Sequence, residues 1–324
     1  MHFDVSGVTV NPLIPPLVAF VISTLTSMGG VSGAFLLLPF QVSFLGFTSP
    51  AVSPTNLIFN IVAIPSGVYR YIREGRMAWP LTWVTIIGTL PGVILGGFIR
   101  VKYLPDPRPF KLFVGCVLLY IGGRMLYELA SKKSSAQKSK MKALEQKFNE
   151  RVAQLRKERN AQSAAGHPAE AVVRTVSFSL KRVEYEFYGE TFGFNTWSLL
   201  LLTFVVGMIG GTYGIGGGAI IAPFFITFYA LPVYTIAGAA LMGTFLTSVV
   251  GVAFYTVLAP MYAHTGLAIA PDWPLGILFG IGGTAGMYCG ARLQKYVPGK
   301  IIRASLGLVI TYMAVRYILQ YLGY

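Results

Sequence analysis

The chain has 324 residues, of which 54% are hydrophobic and only 12% charged, and its mean hydropathy is +0.62. Soluble domains carry about twice that charged fraction, so the composition argues against an ordinary water-soluble enzyme. The net charge of +14 could fit a nucleic-acid ligand, but 13 of the 26 Lys and Arg lie in one segment, 131–190. In so apolar a chain, basic segments report membrane topology first, and no nucleic-acid partner is expected.

Met1 to Val10 contains Asp4 and no Lys or Arg, so it lacks the basic start of a cleaved signal peptide. No Asp, Glu, Lys or Arg then occurs over the 59 residues from Asn11 to Tyr69, nor over the 81 residues from Thr191 to Pro271. One helical crossing of a bilayer takes about 20 apolar residues, so each run holds several crossings. The expected fold is an all-α polytopic membrane protein with roughly 8–10 membrane segments.

In chain order, the first apolar run extends from Pro12 to Phe47 and is interrupted by Ser27-Met28-Gly29-Gly30-Val31-Ser32-Gly33. Single elements are predicted over Ala51–Tyr71, Met77–Ile99 and Pro109–Leu129. A polar segment follows. Within it, Met141, Leu144, Phe148, Val152 and Leu155 mark one face of an amphipathic helix, and residues 176–180 and 183–187 alternate as two short strands would. It reads as a cytoplasmic elaboration resting on the bilayer surface, or as a partner-binding module. The second run, Trp197–Ala230, is interrupted by Gly210-Gly211-Thr212-Tyr213-Gly214-Ile215-Gly216-Gly217-Gly218, and elements over Val233–Leu258, Trp273–Leu293 and Lys300–Leu322 follow.

The two ends repeat one another. An offset of 184 places Gly30 on Gly214, Gly33 on Gly217, Pro39 on Pro223, Leu57 on Leu241, Gly67 on Gly251 and Tyr71 on Tyr255. With ten more residues, Trp79-Pro80 falls on Trp273-Pro274, and Gly115, Tyr120 and Arg124 match Gly307, Tyr312 and Arg316. The chain therefore divides into a first repeat (1–130), an insert (131–190) and a second repeat (191–324). Internal repeats are a recurrent way of building transporters.

The positive-inside rule selects an arrangement. With the insert cytoplasmic, turning each Gly-broken run back on itself brings Arg292, Lys295, Lys300 and Arg303 inside, and the Lys/Arg-free loop Met261–Asp272 outside. The halves are then inverted and both termini lie outside. Arg100, Lys102, Arg108 and Lys111 form an outer loop against the rule.

Candidate chemistry gathers at the breaks. Backbone left unpaired in hydrocarbon costs several kcal/mol per group, so an irregular stretch there lines a cavity or is covered by protein. Free N–H groups at Gly30, Ser32, Gly33, Gly214, Gly216 and Gly217 would face an anion; alternatively these small residues serve close helix packing. Asn56, Asn60, Thr212 and Thr244 supply uncharged donors, or act as interhelical glue. His2, His167 and His264 fall at a terminus or in loops, and the acids outside the insert fall at ends, so neither an enzyme constellation nor a proton relay emerges. Cys116 and Cys289 have no metal or disulfide spacing, and no metal or cofactor is expected.

The glycine segments 29–33 and 211–218, each followed by Pro39-Phe40 or Pro223, together with the Trp-Pro starts and Gly-rich third spans, resemble the TauE/SafE sulfite exporter family. The resemblance covers the chain apart from the insert. It implies a permease for small sulfur-containing anions such as sulfite or sulfonates, housed in a prokaryotic cytoplasmic membrane. The expected function is secondary transport by alternating access, the partners being a small anionic substrate and the bilayer. A passive anion channel and a scaffold or sensor acting through residues 131–190 are the alternatives.

Overall fold

The computed structural model describes residues 1–28, 32–73, 77–130, 173–187, 190–229, 231, 233–293 and 299–323. The amphipathic helix expected over residues 141–155, as well as Gly30, lies outside them. The first repeat forms α1 (Ile14–Met28), α2 (Ala34–Ser43), α3 (Val52–Ala63), α4 (Pro65–Arg73), α5 (Trp79–Lys102) and α6 (Pro107–Ala130). The second forms α7 (Thr196–Tyr213), α8 (Ala222–Phe228), α9 (Val233–Leu258) with a 3-10 turn at Ala259–Thr265, α10 (Trp273–Leu293) and α11 (Gly299–Leu322). Among the described residues, five helical stretches are long and apolar enough to cross a membrane: Trp79–Lys102, Pro107–Tyr127, Thr196–Tyr213, Thr235–Thr265 and Ala304–Leu322. The protein is an all-α polytopic membrane protein.

Burial is arranged for lipid. Leu13, just before α1, and Leu17, Val21 and Leu25 on it form an exposed stripe at spacing four, whereas Ala19, Ser23 and Thr26 are buried. Large apolar side chains face outward and small or hydroxyl-bearing ones inward, as expected where the solvent is itself apolar.

The element expected over Ala51–Tyr71 is two helices. Ile64 N–H still reaches Asn60 O at 3.0 Å, but Pro65 has no N–H with which to continue the ladder. The second repeat carries Val249 at the corresponding position, and α9 runs through it unbroken.

Packing between the repeats is reciprocal. α1 lies along α10, and α7 along α5. Gly282, Gly286 and Gly290 press against the carbonyls of Pro16, Phe20 and Thr24, while Gly88, Gly92 and Gly96 press against those of Leu200, Phe204 and Met208. The same exchange recurs at the centre, where Gly251 meets Leu57 and Gly67 meets Leu241. It recurs again between α6 and α11, where Gly115 meets Ile318 and Gly307 meets Leu126. Contacts that swap partners in this way are those a two-fold relation generates.

Two small sheets border the helices. β1 (His2–Phe3) and β2 (Val8–Thr9) form a hairpin whose Ser6 N–H donates to Asp272 Oδ2 at 3.1 Å, beside the start of α10. β3 (Arg174–Phe178), β4 (Arg182–Phe187) and β5 (Glu190–Asn195) form an antiparallel sheet. Val183, Tyr185 and Phe187 of β4 are buried. Tyr185 OH pairs with Thr235 Oγ1 at 2.8 Å, tying the sheet to α9; burial pushes the Tyr185 phenol up from its ordinary value, opposed by that hydrogen bond. The sequence reading gave two strands. β5 escaped it because its Phe192/Phe194 alternation runs straight into α7, whose N-cap Asn195 accepts Ser198 N–H at 3.0 Å.

The glycine stripes give a direct test. A Cβ on Gly92 would collide with Phe204 O, whereas one on Gly123 meets nothing within 4 Å. Gly92→Ala should lower stability by about 1–3 kcal/mol through overpacking, and Gly123→Ala should leave it unchanged or raise it slightly. Thermal unfolding of the two purified variants in detergent reads the difference.

Candidate functional site

The second glycine-rich break reverses the chain. α7 ends where Gly214 adopts φ +85° and Gly216 adopts φ +80°, a left-handed region that side-chain-bearing residues rarely occupy. Gly214 and Ile215 N–H both donate to Gly210 O at 2.9 Å, closing the helix. The chain then doubles back, so that Gly216 O lies against Gly210 and Gly217 against Thr89 of α5. Tyr229, just beyond α8, finishes beside Ser198 near the start of α7, with 2.7 Å between their hydroxyls. The run Thr196–Phe228 thus begins and ends on one side. In the first repeat, Gly33 lies alongside α1, where an added Cβ would meet Ser23 Oγ at 3.0 Å and Thr26 Oγ1 at 3.4 Å.

The two breaks meet on α3. Asn56 and Asn60 are one turn apart and fully buried. Asn56 Nδ2 donates to Ala34 O at 3.0 Å and to Gly214 O at 2.8 Å, so a single amide holds both breaks. Asn60 Nδ2 donates to Ile215 O at 3.0 Å and to Ser248 Oγ of α9 at 3.2 Å. Ser32 Oγ lies 3.4 Å from Asn60 Oδ1, which it meets as donor, and Ser53 Oγ reaches Tyr213 O at 3.5 Å. From α9, Thr247 Oγ1 accepts Gly217 N–H at 2.9 Å. The Tyr213 phenol donates across the seam to Phe35 O at 2.7 Å.

Most of the expected residues therefore converge. Ser32, Gly33, Asn56, Asn60, Gly214, Gly216, Gly217 and Thr244 border one buried seam between α3, α9 and the two breaks. Thr212 looks elsewhere, donating to Gly96 O at 3.1 Å and Met208 O at 2.9 Å along the α5–α7 contact. Thr244 Oγ1 donates to Ala240 O at 2.8 Å on its own helix. In this conformation Asn56 donates to the segments at both breaks and Asn60 to Ile215 O and Ser248, so both amides act as interhelical glue.

Two residues were missed. Gln41, fully buried, donates through Nε2 to Asn56 Oδ1 at 3.1 Å, while its Oε1 has no partner; as the one amide in α2 it was legible in the sequence. Arg100 was assigned to a loop, and the structure corrects this: it lies in the last turn of α5 and is completely buried. Cys116 is exposed on the helix surface rather than packed inside. Among the described residues no group of three or more His, Cys, Asp or Glu could hold a metal ion.

Gly214→Ala tests the reversal. A left-handed L-residue costs roughly 1–2 kcal/mol, and at Gly214 the added Cβ also runs into Ser53, whereas Gly266, at φ +69°, has open space around it. Gly214→Ala should therefore lower the unfolding midpoint more than Gly266→Ala does, when the two variants are melted side by side.

No curated protein and no solved structure matches the chain. The family model for the sulfite exporter TauE/SafE matches residues 16–317, spanning both glycine breaks and every helix that borders the seam, and the chain belongs to that family of membrane transporters.

Proposed function

We propose that the protein is a secondary transporter for small sulfur-containing or organic oxyanions such as sulfite or sulfonates, working by alternating access of two inverted halves. The observation that carries this reading is the meeting of both breaks on Asn56 and Asn60. Few other arrangements call for two interruptions of apolar helices, at matched repeat positions, to be sealed by the same two amides. The reciprocal glycine contacts support halves that rock against one another as bodies.

The seam supplies the moving part. Its hydrogen bonds run between the repeats, from Asn56 to Gly214 and from Asn60 to Ile215, so a relative shift of the halves releases amide N–H groups that turn to the substrate. Hydrogen bonds to a charged group contribute about 1.5–3 kcal/mol each, so losing one donor weakens binding by about tenfold or more. A scaffold or passive channel has no need of such exchangeable donors.

Proteoliposome flux with a panel of sulfite, thiosulfate, sulfate, sulfonates and carboxylates tests the reading. Saturable uptake or efflux is expected for at least one sulfur oxyanion, and a non-saturating current instead would make the protein a channel. Asn60→Leu and Gly217→Val should each reduce flux at least tenfold in monodisperse protein, with the lipid-facing Cys116→Ala near wild type. Sidedness is tested by single-cysteine labelling with an impermeant reagent in a background lacking Cys116 and Cys289. Position 264 should label from outside and position 295 should not, because the insert and the Arg292–Arg303 loop are cytoplasmic in the proposed arrangement.

A further inference from the structure

Arg100 combines a permanent charge with complete burial. Its guanidinium lies over the Phe110 ring, 3.7 Å from the centroid, and Nη1 donates to Leu104 O. Nε and Nη2, also buried, have no hydrogen-bond partner. Among the described residues no carboxylate pairs with it. The buried acid Asp272 is engaged otherwise, with Oδ2 accepting Ser6 N–H at 3.1 Å and Oδ1 accepting Leu275 N–H at 3.2 Å. Removing a charge from water with two donors unmet is costly unless something compensates it.

The surroundings locate this charge beside the seam. α5 and α7 run parallel, with Gly96 against Thr212, so Arg100 stands one turn beyond the level at which α7 ends. Tyr255 of α9 packs on Gly97, three residues before Arg100 on α5. Its buried hydroxyl lies beside Ser53 without a hydrogen bond of good geometry. Ser53 in turn touches Gly214 and reaches Tyr213 O. The seam and the Arg100–Tyr255 pair are thus neighbours through one residue.

We propose that Arg100 and Tyr255 form an anion-binding station for a small oxyanion entering or leaving the seam, a refinement that rests on the transport reading above. The two unpartnered nitrogens are Nε and Nη2, which form one edge of the guanidinium and present parallel N–H groups. That fork matches two oxygens of a single sulfonate, sulfite or sulfate. A halide offers no second oxygen, so the station discriminates by shape as well as charge. The Tyr255 hydroxyl adds a third donor. Lys102, Arg108 and Lys111 border the same end of α5 and α6 with Asp106 the one acid between them, giving a positive approach that raises the local anion concentration.

The test uses purified protein in detergent, with sulfate, ethanesulfonate and chloride as probes at matched ionic strength. Wild type should bind the two oxyanions more tightly than chloride. Arg100→Gln should weaken oxyanion binding at least tenfold. Arg100→Lys should retain charge but lose most of the preference over chloride, and Tyr255→Phe should weaken binding several-fold. On unmutated protein, phenylglyoxal modification of Arg100, mapped by mass spectrometry, should be slower in sulfate than in chloride; this readout stands even where a substitution prevents folding. Equal modification in the two salts, or wild-type binding by both Arg100 variants, overturns the station. If wild-type flux is saturable for an oxyanion and both variants match it, the station alone falls. If wild type moves no oxyanion, the transport reading falls and the station with it.

Discussion

The constraint on which the structure depends is that interrupted backbone inside an apolar bundle must find hydrogen-bond partners there. Two interruptions are present, and the carbonyls released where α7 ends, at Gly214 and Ile215, are collected by the amide nitrogens of Asn56 and Asn60, while Asn56 also reaches Ala34 O in the first turn of α2. A buried, unmet carbonyl costs about 1–3 kcal/mol, so two of them would weigh heavily against a fold whose total stability is of the order of 5–15 kcal/mol. The position of α3 follows from this. It has to pass between the glycine breaks, and the Pro65 break ends it soon afterwards.

Bringing two breaks to one helix requires the flanking helices to approach closely, which the glycine stripes permit. Where Gly88, Gly92 and Gly96 meet the carbonyls of α7, no side chain could intervene, and the same holds for Gly282, Gly286 and Gly290 against α1. Helices in lipid gain little from burying apolar side chains against one another, because lipid is equally apolar. Close backbone contact and interhelical polar bonds carry association instead. The exposed leucine stripe of α1 and the buried hydroxyls of Thr85, Thr89 and Thr203 are two sides of that rule.

The class of fold was legible in the sequence because charge-free runs of 59 and 81 residues have few alternatives. Gly, Pro and Trp also hold positions that a shifted alignment brings together, such as Pro39 on Pro223 and Gly67 on Gly251. The seam was only half legible. Asn56 and Asn60 stand out in an apolar helix, but whether their donors face a ligand or the backbone depends on where Gly214 and Ile215 lie, some 155 residues away in sequence. Arg100 was misread for a related reason. A charge one residue past the apolar run Met77–Ile99 looks like a loop residue, and only the packing of Phe110 and Tyr255 around it reveals burial.

The two repeats solve the same local problem with different chemistry, and the differences compensate. Ser32 and Ala34 stand where the second repeat has Gly216 and Gly218, and Asn56 and Asn60 stand where it has Ala240 and Thr244. In the first repeat the segment after the break carries side chains, and long amides of α3 meet it by hydrogen bonds: Asn56 to Ala34 O, and Ser32 Oγ to Asn60. In the second the reversal is bare, and Gly218 presses on Ala240 O while Gly216 presses on Thr244 and Ser248. Small residues against a short partner, and larger ones against a long partner, keep the corresponding contacts while changing their character. The consequence is asymmetry. The α9 side is held largely by close packing, which tolerates little displacement, whereas the α3 side is held by hydrogen bonds that can exchange one acceptor for another. Any opening of the seam should therefore begin at Asn56 and Asn60, on the side that Ser53 connects to Arg100.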